Sequence, residues 1–225
     1  MAALKIRSAL LPDASVVVIP NPVPIDTFKE ANRDRARWTL GLPTDRPIVG
    51  FVADEGSANP LKGFRDLVEA LKLVQVTNPL ATLLIVGKPP SGLAELGIRA
   101  LSTGQIRDDA RLSMTYAACD VVCVPSLVDN APQTVCEASS AARPVVAYAT
   151  GGIPELVHDG ATGRLVRPRD VRGLAQAISL LIETPDDAQR MGRAGRQSAV
   201  EQWNPDVIGS LYLRVYQRAL EDFAK

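Results

Sequence analysis

Two carboxylates, one lysine and a helix start suited to an anion are the groups in this chain whose types and spacing could do chemistry. They centre on residues 121–138, VVCVPSLVDNAPQTVCEA. The opening run Val121, Val122, Cys123 and Val124 is short, β-branched and continuously apolar, which predicts a buried strand. Pro125 and Ser126 stop it, Asp129 and Asn130 form a polar elbow, and Pro132 suits a first helical turn. A helix then continues through Ala138. In an open α/β sheet, ligands bind where a strand ends and its helix begins. The N–H groups of Gln133, Thr134 and Val135 lack intrahelical acceptors at such a start and suit a phosphate. Asp129 sits at the elbow, and Glu137 follows about a turn into the helix. A ligand with both phosphates and hydroxyls satisfies amides and carboxylates together, and a nucleotide sugar is such a ligand.

Lys62 stands before Gly63 at a second predicted helix start, where its ammonium could reach a phosphate. Plainer readings stand beside each group. Lys62 could be an exposed residue near a cap, and Glu137 could pair with a nearby arginine. Asp129 could close an Asx turn, and Asn130 could cap the helix. Gly104, Gln105 and Ile106 could offer backbone groups to a ligand or merely turn the chain, and Gly87-Lys88 is a weaker candidate of that kind. A Walker phosphate loop is excluded, because Leu61 and Gly63 flank the lysine where Gly and Ser or Thr are required. The lone His158 leaves no Ser/His/Asp set and no multi-histidine zinc site. No G-x-G-x-x-G follows the first predicted strand, which argues against a dinucleotide-dependent dehydrogenase. Asp129 and Glu137 match a glycosidase acid/base pair in type, but their setting argues for ligand binding.

The elements that must position these residues alternate along the chain. Residues 1–11 read as a helix remnant and 16–23 as a short strand halted by Pro20, Asn21 and Pro22. Strands are predicted at 48–53, 82–86, 97–101, 121–124, 144–148 and 164–166. Helices are predicted at 31–40, from 62–64 onward with Leu67, Leu71 and Val74 on one face, and from Asp108 to Ala118. Others follow from Pro132, over 171–182, over 186–202 and over 205–223. Strand–helix alternation predicts an α/β fold with a doubly wound, Rossmann-like parallel sheet. The chain has 225 residues, 46% of them hydrophobic, enough to bury a sizeable core. Basic and acidic residues balance at 25 each, which argues against a nucleic-acid or anionic-membrane partner. The basic cluster Arg164, Arg167, Arg169 and Arg172 reads as a solvated face. Cys119, Cys123 and Cys136 lack metal-ligand spacing and read as reduced core residues of a cytoplasmic protein. No run is long and apolar enough to span a membrane, so any membrane contact would be peripheral, at the inner face.

The ordered pieces Pro125-Ser126, Asp129, Glu137-Ala138, Pro144-Val145-Val146-Ala147 and Gly151-Gly152-Ile153-Pro154-Glu155 resemble the signature of retaining GT-B glycosyltransferases of family 4. Asp159-Gly160, Thr162-Gly163 and Leu165-Val166 extend the match. Two departures stand out: Asp129 occupies a position that is Glu in the family, and Leu61 one that is often Arg in a close subgroup. The resemblance implies that Lys62 clamps a diphosphate, Glu137 accepts from the ribose hydroxyls and Asp129 contacts the transferred hexose. It implies that Asn130 and the amides of Gln133, Thr134 and Val135 hold the diphosphate, with Gly104, Gln105 and Ile106 at the base edge. The substrate would be a UDP- or GDP-sugar, with no metal and no further cofactor. Residues 16–28 resemble the crossing between two GT-B domains. The expected organisation is an interdomain linker at 1–30, a nucleotide-sugar domain at 31–202 and a helix at 203–225 that packs on a missing N-terminal acceptor domain. Leu211, Tyr212, Val215 and Tyr216 would form its unpartnered face. The chain then looks like the donor-binding half of an enzyme that glycosylates a glycan or lipid and needs its other half for turnover. The competing reading is a non-catalytic nucleotide-sugar binding module.

Overall fold

The computed structural model describes residues 16–54 and 58–223, and six stretches of them form one parallel sheet. The strands are β1 (Ile48–Val52), β2 (Thr82–Val86), β3 (Ala100–Gly104), β4 (Val121–Val124), β5 (Val145–Tyr148) and β6 (Gly163–Val166). Their order is β3-β2-β1-β4-β5-β6, and every neighbouring pair is parallel. The helices are α1 (Arg33–Leu40), α2 (Phe64–Thr77), α3 (Asp109–Ala118), α4 (Gln133–Ser140), α5 (Ile153–Leu156), α6 (Val171–Glu183), α7 (Pro185–Gln202) and α8 (Pro205–Phe223). The expected doubly wound α/β architecture is what forms.

Alternation along each strand divides the core in two. Val49, Phe51, Leu83, Ile85, Val121 and Cys123 pack with Leu67 and Leu71 of α2 and Leu174 and Ile178 of α6. Ile48, Leu84, Val122 and Val145 face the other way, toward Tyr116 of α3, Val135 and Ala138 of α4, and Ala199 of α7. Strands buried on both faces must be continuously apolar, which is why β2 and β4 read so plainly in the sequence. Each such side chain contributes about 1.5–3 kcal/mol of burial. The three cysteines are free and buried, and burial pushes the thiols of Cys119 and Cys136 up to about 12.

Two expected strands are corrected. Residues 16–23 form none: Pro20 and Pro22, with Pro24 just beyond, remove alternate amide donors from the second half of the segment. The segment instead packs as coil: Val23 and Phe28 are buried, and the Val23 amide donates to the Trp203 carbonyl at 2.8 Å. The strand expected at 97–101 begins three residues later, since Gly97 ends a 3₁₀ turn over Leu93–Leu96. The expected helix remnant at 1–11 lies outside the described residues.

Candidate functional site

From β1 the chain winds outward through β2 and β3, then returns by α3 to β4 on the other side of β1. At such a reversal the loops leaving the two central strands diverge, opening a crevice at their carboxyl ends. Those loops carry Lys62 and Asp129.

Lys62 closes a 3₁₀ turn, Pro60–Lys62, and is therefore not yet in the helix that it was expected to open. Gly63 follows at φ +69°, and a Cβ there would lie 1.9 Å from the Pro125 carbonyl oxygen. Only glycine lets this loop rest on the end of β4. The Leu127 amide donates to the Leu61 carbonyl at 2.8 Å, stitching the two loops together. That register sets the Lys62 ammonium 2.8 Å from Asp129 Oδ2, so the elbow carboxylate forms an ion pair rather than an Asx turn. Lys62 is 36% exposed and Asp129 13%, so the pair borders solvent from within the crevice.

The elbow is braced from behind. The Gly152 amide donates to the Asp129 carbonyl at 3.2 Å, and the Thr150 hydroxyl to the Leu127 carbonyl at 3.0 Å. A Cβ on Gly151 would lie 1.8 Å from the Asp129 oxygen, which explains the paired glycines as a close approach as well as a turn. Beyond the elbow, α4 starts at Pro132 with no side-chain cap, so Asn130, though exposed at the elbow, is not the N-cap. The Gln133 and Thr134 amides stand at that open start. Val135, expected to offer a third amide, already donates to the Pro132 carbonyl at 3.0 Å. The anion-facing set is therefore two amides with the positive end of a helix dipole behind them.

Glu137, one turn into α4, accepts a hydrogen bond from the Tyr116 hydroxyl at 2.7 Å rather than pairing with an arginine. Burial raises its pKa, the Tyr116 bond opposes that rise, and the charge of Asp109 adds to it. On the β1–β3 side, Gln105 Nε2 donates to Asp54 Oδ1 at 3.0 Å, and the Gly87 amide to the Gly104 carbonyl at 3.0 Å. The 104–106 loop thus lies against the loop after β1, with Gln105 exposed and Ile106 half-buried. His158 is exposed in a loop, and Glu155 falls in the first turn of α5. Tyr116 and Asp54 are the site residues that sequence reasoning missed. The available signal for the first was a tyrosine among the small residues of the Thr-Tyr-Ala-Ala run, since a buried phenol needs a partner.

A groove of about 960 Å³ opens at the opposite edge of the sheet, around Arg33, Arg37, Asp120 and Arg143. Most of its charges are paired among themselves: Arg33 and Arg37 with Asp120, Arg46 with Asp45 and Arg193 with Glu30. It lies at the amino ends of the strands, away from the uncapped helix start, so the crevice at their carboxyl ends is the better candidate.

The sequence pattern of the family Glycosyl transferases group 1 matches residues 46–184. A D-inositol 3-phosphate glycosyltransferase of Mycolicibacterium smegmatis is 35% identical over 94% of this chain and 49% of its own length. An MMP alpha-(1->4)-mannosyltransferase of Mycolicibacterium hassiacum is 32% identical over 72% of this chain and 41% of its own. The sucrose-phosphate synthase of Thermosynechococcus elongatus superposes with a TM-score of 0.85 at 29% identity, covering 98% of this chain and 57% of that one. Anabaena HepE, solved in complex with UDP-glucose, superposes at 0.75 with 26% identity over 90% of this chain and 57% of that one. The chain thus spans about half the length of the relatives it matches.

Proposed function

This chain belongs to the group 1 glycosyl transferases, and from that premise we propose that its crevice binds a nucleoside-diphosphate sugar as the donor half of a retaining transferase. The observation that carries the proposal is the Lys62–Asp129 pair beside an uncapped helix start, with a carboxylate one turn beyond. Sugar transfer breaks the bond between the anomeric carbon and the diphosphate, so negative charge grows on the leaving oxygen. Lys62 and the Gln133 and Thr134 amides would receive that charge in place of water. Glu137 would accept from the ribose hydroxyls with the oxygen that Tyr116 leaves open. Asp129 would turn from Lys62 to a hydroxyl of the hexose. Asn130 and the Val135 end of the first turn would border the diphosphate, and Gly104, Gln105 and Ile106 the base. The Anabaena complexes with UDP and with UDP-glucose support UDP as the first nucleotide to try.

No side chain in the crevice is proposed as a nucleophile. Retention would come from attack on the same face that the diphosphate leaves. The acceptor, a glycan or lipid, would enter from a second domain, and turnover would require it. Among the described residues no helix is long and apolar enough to cross a membrane, and contact with a lipid acceptor would then be peripheral.

Titration calorimetry with UDP, GDP and ADP tests the donor reading. UDP or GDP should bind, and Lys62→Ala should weaken that binding tenfold or more, since a hydrogen bond to a charged group contributes about 1.5–3 kcal/mol. Binding of no nucleotide, or binding indifferent to Lys62, overturns it. Leu61, standing where a close subgroup of the resembled pattern often has Arg, favours a binding module without turnover as the other reading. Hydrolysis or transfer from a UDP-sugar by the chain joined to an acceptor domain would separate the two.

A further inference from the structure

Tyr116 is completely buried in the last turn of α3, and its ring packs edge-on against Phe28 with centroids 6.0 Å apart. A phenol with no access to water must find an acceptor within the protein. It finds Glu137 Oε2 at 2.7 Å, across the α3–α4 contact. The Thr134 hydroxyl adjoins the same phenol oxygen and donates to the Val52 carbonyl at 3.3 Å. Among the described residues no lysine or arginine lies within ion-pair distance of Glu137. Its charge is therefore supported by a neutral dipole in a partly buried site. One carboxylate oxygen is spent on Tyr116, and the other is left to accept from a ligand.

We propose that Tyr116 is a positioning residue that fixes the Glu137 carboxylate so that its second oxygen selects a ribose over a 2′-deoxyribose. The proposal rests on the donor-binding reading above, which gives Glu137 the ribose, and adds the residue that orients its carboxylate for that task. Selection follows from chemistry already in place. A site built to accept from a hydroxyl rejects the analogue lacking it, because the acceptor is then left desolvated and unpaired. The phenol does two things toward that end. It locks the side-chain rotamer across two packed helices, and it stabilises the ionised form. The titratable groups acting on Glu137 are Tyr116 and Asp109 of α3, with Cys136 beside it on α4. Burial raises the Glu137 pKa and the Tyr116 bond restrains it, so removing the phenol oxygen lets it rise further. The ionised acceptor is then lost at a higher pH than in the wild type.

The test is calorimetric binding of UDP and 2′-deoxy-UDP, with the guanine pair alongside, to wild type, Tyr116→Phe and Glu137→Gln. Wild type should prefer the ribonucleotide by about tenfold. Tyr116→Phe should cut that preference several-fold and leave 2′-deoxy-UDP binding within about twofold of wild type. As pH is lowered, its remaining preference should fade at a higher pH than the wild type's. Glu137→Gln, which keeps an acceptor for the phenol, should lose most of the preference and show no such pH dependence; it serves as the reference if Tyr116→Phe unfolds. Equal loss of both nucleotides in Tyr116→Phe would mean a purely structural tyrosine and overturn the proposal. A wild type that binds UDP and 2′-deoxy-UDP alike overturns it while leaving the donor reading intact. A wild type that binds no nucleotide overturns both.

Discussion

At the scale of single residues, the two charged groups expected to meet opposite ends of a ligand meet each other instead. The Lys62–Asp129 pair is partly exposed, and pairs of that kind contribute only about 0–1 kcal/mol. A diphosphate can therefore displace the carboxylate cheaply, but Asp129 remains a competitor for the lysine. Asp129→Asn is expected to tighten UDP binding by up to about fivefold, while reducing the extra affinity that a UDP-sugar has over UDP. Calorimetry with both ligands reads the two effects separately. Weaker UDP binding in Asp129→Asn would show that the carboxylate helps hold the nucleotide rather than competing for its clamp.

Glu137 gives the second residue-scale prediction, on stability. Burial raises its folded-state pKa above the unfolded value near 4.3. Below the unfolded value both states are protonated, and the buried carboxyl has no charge to desolvate. As pH rises through the folded pKa, the folded state must carry a buried charge, and stability is lost. Glu137→Gln should therefore raise Tm at neutral pH, with about 2–4 °C gained per kcal/mol of charge burial removed, and the gain should vanish below about pH 4. Thermal melts at both pH values check it. A Tm loss at neutral pH would mean that the favourable interactions of the charged carboxylate, beyond those an amide can make, outweigh its burial.

At the scale of elements, the amino-terminal edge of the sheet is held by a buried cation. Arg37 of α1 is 1% exposed and donates to the Ala118 carbonyl at 2.8 Å and to Asp120 Oδ2 at 2.5 Å. Asp120 also accepts from the Ile48 amide at 2.6 Å, so it ties α1 to the starts of β1 and β4. Asp120→Ala would leave the guanidinium buried and unpaired, and should cost about 3–5 kcal/mol in urea unfolding. Disrupting the exposed Arg190–Asp187 pair by Arg190→Ala should change stability by about 0.5 kcal/mol or less. Similar losses in the two variants would contradict the buried-clamp account. The elements themselves were largely legible in the chain. β4 is apolar throughout and β2 from Leu83 onward, and Asp108 caps α3 by accepting from the Arg111 amide at 2.7 Å. Residues 16–23 misled because β-branched residues suit a strand only where a sheet edge can receive them. Lys62, Asp129 and Glu137 were legible as residue types in a spaced pattern. Their partners were not, because Tyr116 and Glu137 come from different helices whose contact is set by packing on the sheet. The same holds for Lys62 and Asp129, whose loops meet through the Gly63–Pro125 approach rather than through any local signal.

At the scale of the whole molecule, α8 stands apart from the rest. Ile208 is its only buried side chain among the described residues, and it packs just after the buried Trp203. Beyond it Tyr212, Leu213, Tyr216, Leu220 and Phe223 are exposed, Leu220 at 70% and Phe223 at 91%. Of the four residues expected to form an apolar face, Tyr212 and Tyr216 are exposed while Leu211 and Val215 are half-buried, and Leu213, Leu220 and Phe223 extend the exposed surface. Most of a helix's stability comes from packing an apolar face, and here that face meets solvent in the described structure. The outer turns of α8 should consequently open on their own, and their amides should exchange with solvent far faster than those of α6, which is anchored by Leu174, Ile178 and Leu181. Replacing Leu213, Leu220 and Phe223 together by Glu should leave the Tm and UDP affinity of this chain nearly unchanged. Ile208→Ala, one turn from the core, should cost about 2–5 kcal/mol by the ordinary price of an aliphatic cavity. Equal destabilisation by the triple Glu variant, or slow exchange along the outer turns, would mean that the face is already covered within this chain and is not available to a second domain.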